Sequence, residues 1–143
     1  MGEARVEKRV LVVDDNPETV SLIEDAFATA GFSVHSACNG AECLCALAAN
    51  QPDLLIMDVY MPVLSGLDTL RLLRQNPDTK ELPVILLSGS GEDDDVRAGL
   101  SAGANLYLTK PVRIAAVLAA AKWMLGMEHG GAPVPRQLVT SDL

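Results

Sequence analysis

Three short runs of valine, isoleucine and leucine punctuate the chain, at Val10–Val13, Leu54–Met57 and Val84–Leu87, each bounded by Asp, Pro or Gly. Runs this short and this continuously apolar predict strands buried on both faces, as in a parallel sheet, rather than helices. Two weaker strands fit the gaps. Phe32–Ser36 alternates apolar and polar residues, and Asn105–Thr109 sets Leu106 and Leu108 opposite Tyr107.

The intervening segments have helical spacing and helical punctuation. The first opens with Asn16 as cap and Pro17 behind it, carries Val20, Ile23, Phe27 and Ala30 on one stripe, and closes at Gly31. The second runs from a cap at Asn39 through Glu42, Leu44 and Leu47 to the stop before Pro52, and the third from Ser65, with Asp68 completing S-x-x-D, to Asn76. The fourth, about Asp93 to Ala102, holds Gly99 and few large apolar residues, which makes it intrinsically weak. Its acidic opening, Glu92 to Asp95, reads as a solvated helix start favoured by the helix dipole. The fifth, Ile114 to Leu125, combines alanines with Val117, Leu118, Trp123 and Met124 before Gly126. Strand and helix thus alternate about five times, which implies an α/β fold with right-handed crossovers, helices on both faces, and ligands gathered at the carboxyl ends of the strands.

Composition narrows the function without naming it. With 143 residues and 49% hydrophobic content, one domain with a sizeable core is expected. The formal charge of -8 opposes phosphate backbones and anionic lipid, so neither direct nucleic-acid binding nor membrane association is expected. There is no apolar run of about 18 residues, and the opening MGEARVEKRV lacks an apolar signal stretch, so a cytoplasmic setting is expected. Cys38, Cys43 and Cys45 are odd in number and lack CxxC spacing, which argues against a disulfide framework or a zinc site. The division expected is an N-terminal tail at 1–8, a folded unit at 9–126, and a flexible C-terminal tail at 127–143 that is rich in Gly and Pro and carries no output domain.

The candidate chemistry sits at the strand ends. Asp14 and Asp15 close the first strand and Asp58 the third, so the fold brings three carboxylates to one edge. Such a cluster is tolerable mainly when a hard divalent cation or protonation offsets the repulsion, and magnesium suits oxygen-only ligands. Ser88 closes the fourth strand with a hydroxyl, and Lys110 the fifth with a positive charge. Taken singly, each is ordinary: paired aspartates cap helices, serines and Lys-Pro mark turns, and a tyrosine belongs in the core. Their ordered occurrence at successive strand ends is what carries weight.

The segments VLVVDDNP, LLIMDVYMPVLSGLDTL, PVILLSG and AGANLYLTKP together resemble the signature segments of response-regulator receiver domains, over about residues 9–125. The resemblance implies a flavodoxin-like doubly wound sheet of five parallel strands in the order 2-1-3-4-5, a three-layer sandwich of five β-α units. It implies that Asp58 accepts a phosphoryl group from a sensor histidine kinase or phosphotransfer protein. Mg2+, with Mn2+ as a substitute, would be held by Asp15, Asp58 and the backbone carbonyl of Tyr60, with Asp14 holding metal-bound water. Ser88 and Lys110 would contact the phosphoryl oxygens, Ser88 and Tyr107 would form the switch, and the Lys110–Pro111 peptide would be cis. The partner surface would be the face formed by the fourth helix, fifth strand and fifth helix, on a monomer or a phosphorylation-dependent dimer.

Two other functions compete. A haloacid-dehalogenase-like phosphatase shares strand-end aspartate chemistry, but usually has a second aspartate two residues after the nucleophile, where this chain has Tyr60. An unphosphorylated pseudo-receiver would more often have lost one of Asp14, Asp15, Asp58, Ser88 and Lys110, all of which are present.

Overall fold

The computed structural model describes residues 7–127 and 138–140. Its elements run β1 (Arg9–Val13), α1 (Pro17–Thr29), β2 (Ser33–Ala37), α2 (Gly40–Ala49), β3 (Leu54–Asp58), α3 (Gly66–Gln75), β4 (Val84–Ser88), α4 (Asp93–Ser101), β5 (Leu106–Thr109), α5 (Ile114–Met124) and β6 (Leu138–Thr140). All pairings are parallel, in the order β2-β1-β3-β4-β5-β6. The expected five-strand order is therefore present, extended at one edge by a sixth strand.

That sixth strand lies within the segment expected as a flexible C-terminal tail at 127–143. Leu138–Thr140 pairs beside Leu106–Leu108. The outer edge of β5 leaves backbone N–H and C=O groups to be satisfied, and a short segment of high strand propensity serves. The remainder of the expected C-terminal tail after residue 127, and residues 1–6 of the N-terminal one, lie outside the described residues.

Strand alternation divides the interior into two cores. Leu11, Val13, Leu55, Met57, Leu86 and Tyr107 point to one face, where α2, α3 and α4 supply Cys43, Leu47, Leu70, Leu73 and the flanking Val96 and Leu100. Val10, Val12, Leu54, Ile56, Ile85, Leu87, Leu106 and Leu108 point to the other, covered by Ile23 and Phe27 of α1 and Val117, Ala120 and Ala121 of α5. With both faces covered, β3 and β4 are buried throughout, which explains their unbroken apolar sequence.

Three helix starts follow the expected capping chemistry. Asn16, Asn39 and Ser65 accept hydrogen bonds from the backbone N–H of Glu18, Glu42 and Asp68. β2 starts one residue later than its alternation suggests, because Phe32 leaves the strand pattern to pack on Phe27, ring centroids 5.1 Å apart. The three cysteines are free, and burial pushes the Cys43 thiol up to about 12. Among the described residues no helix is long and apolar enough to cross a membrane.

Candidate functional site

The parallel register sets the site. Val13 pairs with Met57, so one further step along β1 and β3 places Asp14 beside Asp58, and Asp58 pairs with Leu87, one residue before Ser88. Ser88 in turn pairs with Thr109, one residue before Lys110. Four strands therefore deliver their last or next residue to a single edge.

Carboxylate oxygens of Asp14, Asp15 and Asp58 all lie within 4.8 Å of one another. Asp14 and Asp58 are buried, while Asp15 is exposed. Asp14 Oδ1 accepts from the Asn16 N–H at 2.9 Å, which fixes its carboxylate. Lys110 Nζ lies 3.2 Å from Asp14 Oδ2 and 3.4 Å from Asp58 Oδ1, so one ammonium bridges the two buried acids. The backbone N–H of Lys110 donates to the Ser88 carbonyl at 2.6 Å, and the Lys110–Pro111 peptide is cis.

Burial raises the Asp58 carboxyl above the usual carboxylate range. Asp14 and, less strongly, Asp15 add to the rise, and Lys110 opposes it. For Lys110, burial acts to lower the ammonium, but Asp58 and Asp14 outweigh it and hold it above the ordinary lysine value. The site is an anionic pocket of hard oxygen donors incompletely balanced by one cation. That donor set fits a hard divalent ion, which takes carboxylate and carbonyl oxygens.

The β3–α3 loop is shaped around Asp58. The Gly66 N–H donates to the Val59 carbonyl at 2.8 Å, and a Cβ at Gly66 would be driven into the Asp58 carbonyl oxygen. The close approach of Gly66 to Asp58 arises only once the chain has folded back. Tyr60 lies in this loop with its side chain 60% exposed, and Val63 adopts φ 73°, an uncommon conformation for a β-branched residue.

Ser88 is fully buried, and its Oγ accepts from the Ser90 N–H at 3.1 Å. Ser90 is a junction that the sequence did not reveal. Its hydroxyl donates to the Asp95 carboxylate and its carbonyl accepts from the Tyr107 hydroxyl at 2.7 Å. Asp95 is therefore more than a solvated helix-start acid, since it ties the β4–α4 loop to the first turn of α4. Tyr107 is 1% exposed, seated inward, and burial raises its phenol while the neighbouring Ser88 hydroxyl opposes the rise.

Known proteins share this arrangement of elements. Residues 10–122 match the family model described as the response regulator receiver domain. The transcriptional regulatory protein PrrA of Mycobacterium tuberculosis is 37% identical over 132 residues, covering 92% of this chain and 56% of the relative. The chain thus spans about half the length of the curated relatives it matches. The receiver domain of Francisella response regulator 1452 has a TM-score of 0.79 at 30% identity, covering 84% of this chain and 98% of that one. The receiver domain of the sensor histidine kinase PA1611 from Pseudomonas aeruginosa, solved with a magnesium ion coordinated in its active-site cleft, has a TM-score of 0.78 at 27% identity, covering 85% and 99%. With the family model spanning most of the chain and the fold matching member by member, this chain belongs to the response regulator receiver domain family.

Proposed function

We propose that this chain is a phosphoryl-accepting switch in which Asp58 takes a phosphoryl group from a histidine kinase or phosphotransfer protein. The observation that carries the reading is the bridge from Lys110 Nζ to Asp14 and Asp58 inside a cluster of three carboxylates. An Asp58 carboxylate oxygen attacks the phosphorus of a phosphohistidine, the P–N bond breaks, the imidazole leaves, and an acyl phosphate forms. Phosphoryl transfer of this kind depends on positioning and on neutralising charge at the equatorial oxygens. Lys110 is placed to supply one positive charge there, and Ser88 a hydroxyl donor. The switch lies within the unit at 9–126, against which β6 pairs.

Asp15, Asp58 and the Tyr60 carbonyl would hold Mg2+, with Asp14 holding its water, and the bound ion would neutralise phosphoryl oxygens. The magnesium ion in the active-site cleft of the PA1611 receiver supports a divalent cation as the ligand. Calorimetric titration should show Mg2+ binding that Asp15→Asn weakens by roughly tenfold to a hundredfold. Equal binding by the variant rejects Asp15 as a ligand. For the switch as a whole, incubation with acetyl phosphate should add one phosphoryl group in the presence of Mg2+ and none in excess EDTA. Metal-independent uptake contradicts the reading.

The acyl phosphate should be long-lived. Hydrolysis needs a water in line with the Asp58–phosphorus bond, and resemblance places residues 60 and 90 beside it. Tyr60 offers no carboxylate or carboxamide, and the Ser90 hydroxyl is engaged by Asp95. Losing a positioned contact to an attacking water costs about 1.4–2.7 kcal/mol, roughly tenfold to a hundredfold in rate. Tyr60→Asn combined with Ser90→Glu should therefore accelerate loss of the phosphoryl group by that factor. Equal or slower decay shows that these side chains do not govern water access. Output passes through the face formed by α4, β5 and α5, where β6 lies along β5, to a downstream protein or a second copy of the chain, in a cytoplasmic setting.

A further inference from the structure

Gly99 lies in the last turn of α4, is buried, and faces the sheet at Tyr107. A Cβ built there would meet Tyr107 Cδ2 at 2.8 Å, Tyr107 Cε2 at 3.0 Å and Leu86 Cδ1 at 3.2 Å. Glycine in a helix interior costs stability relative to alanine, so a buried one calls for a packing reason. Here the reason is the ring: Tyr107 occupies the volume that any other residue at position 99 would fill.

The phenol at the far end of that ring is equally engaged. Tyr107 donates to the Ser90 carbonyl, the Ser90 N–H donates to Ser88 Oγ, and the Ser90 hydroxyl donates to Asp95 in the first turn of α4. The ring is thus clamped between a helix that leaves room for it and a loop that holds its hydroxyl. α4 has little freedom to retreat, because the Ala104 N–H donates to the Gly99 carbonyl at 3.2 Å and Val96 and Leu100 pack on the core.

We propose that Gly99 is a positioning residue that keeps Tyr107 seated inward in the unphosphorylated chain, so that the aromatic half of the switch is set before Ser88 responds to a phosphoryl group. This rests on the phosphoryl-switch reading for its consequence, but not for its geometry. It refines the switch that the resemblance assigns to Ser88 and Tyr107. In this chain the phosphoryl group acts on the Ser88–Ser90 hydrogen bond and, through Ser90 and Asp95, on α4, while Tyr107 stays in place.

The chain has two tyrosines, and Tyr60 is exposed, which makes chemical protection a clean readout. Nitration with tetranitromethane, followed by peptide mass mapping, should modify Tyr60 in the wild type and spare Tyr107 by at least roughly tenfold, with or without acetyl phosphate and Mg2+. Gly99→Ala creates an overpacked contact whose relief is outward rotation of the ring, so Tyr107 reactivity should rise by roughly tenfold without phosphodonor. Wild-type Tyr107 reacting as fast as Tyr60, or continued protection in Gly99→Ala, overturns the proposal. Melting temperatures supply a second test in case the alanine perturbs α4 itself. Gly99→Ala should lower the melting temperature in the wild type and much less, or not at all, in a Tyr107→Leu background, since only contacting residues couple. An equal loss in both backgrounds overturns the proposal as well. If no phosphoryl group is taken up, the switch reading fails while the nitration contrast between wild type and Gly99→Ala still decides the role of Gly99.

Discussion

Replacing Lys110 with alanine is expected to slow phosphoryl uptake from acetyl phosphate by roughly a hundredfold to a thousandfold, the range found when one preorganised charge-stabilising group is removed. Lys110 Nζ sits 3.2 Å from Asp14 and 3.4 Å from Asp58 before any donor arrives, so its charge needs no rearrangement to meet a phosphoryl oxygen. The substitution has a second effect with a definite sign. Lys110 opposes the rise of the Asp58 carboxyl, so its loss lets that carboxyl climb further. The acid limb of the rate profile should move to higher pH in Lys110→Ala, because more of the acceptor is protonated at a given pH. Lys110→Arg should restore part of the pH shift but less of the rate, since the guanidinium keeps the charge and changes the geometry. A Lys110→Ala variant that takes up phosphoryl groups within a few-fold of wild type contradicts this role.

Asp58→Asn should make the metal-free protein more stable at neutral pH, raising its melting temperature by roughly 3–6 °C, equivalent to about 1–2 kcal/mol. Burial together with Asp14 and Asp15 raises the Asp58 carboxyl above its unfolded value despite Lys110. A raised carboxyl contributes stability that is fully present below the unfolded value of 3.8 and lost as pH rises through the folded value. Above the folded value that loss is complete and the ionised Asp58 burdens the fold. The asparagine variant has no such charge, so its advantage should shrink as acidification protonates Asp58 in the wild type. Millimolar Mg2+ should also narrow or reverse the gap, because binding to the native acids stabilises only the protein that retains them. Equal melting temperatures at neutral pH without metal would show that the carboxylate repulsion is already relieved.

Much of this molecule is legible from local chemistry. The buried strands announce themselves by unbroken aliphatic runs, and Asn16, Asn39 and Ser65 announce helix starts by the same side-chain oxygens that accept in the structure. Asp14, Asp58, Ser88 and Lys110 could be foreseen at one edge because parallel pairing forces strand ends together. What escaped depends on contacts between distant segments. The fit of Gly99 against Tyr107 and of Gly66 against the Asp58 carbonyl arises only after helices pack on strands. The Ser90–Asp95 bond joins two residues whose types suit any turn and helix start. Phe32 imitates a strand residue because its apolar character serves an aromatic contact with Phe27 instead. β6 is short, and nothing in its composition specifies which edge it joins.

The most direct measurement is intact-mass and peptide-mapping mass spectrometry after incubation with acetyl phosphate and Mg2+, comparing wild type, Asp58→Asn and Asp58→Glu. The wild type should carry one phosphoryl group, located on Asp58, and both variants should carry none at the same exposure. A phosphoryl group on another residue, or equal uptake by Asp58→Asn, contradicts the assignment of Asp58 as the acceptor.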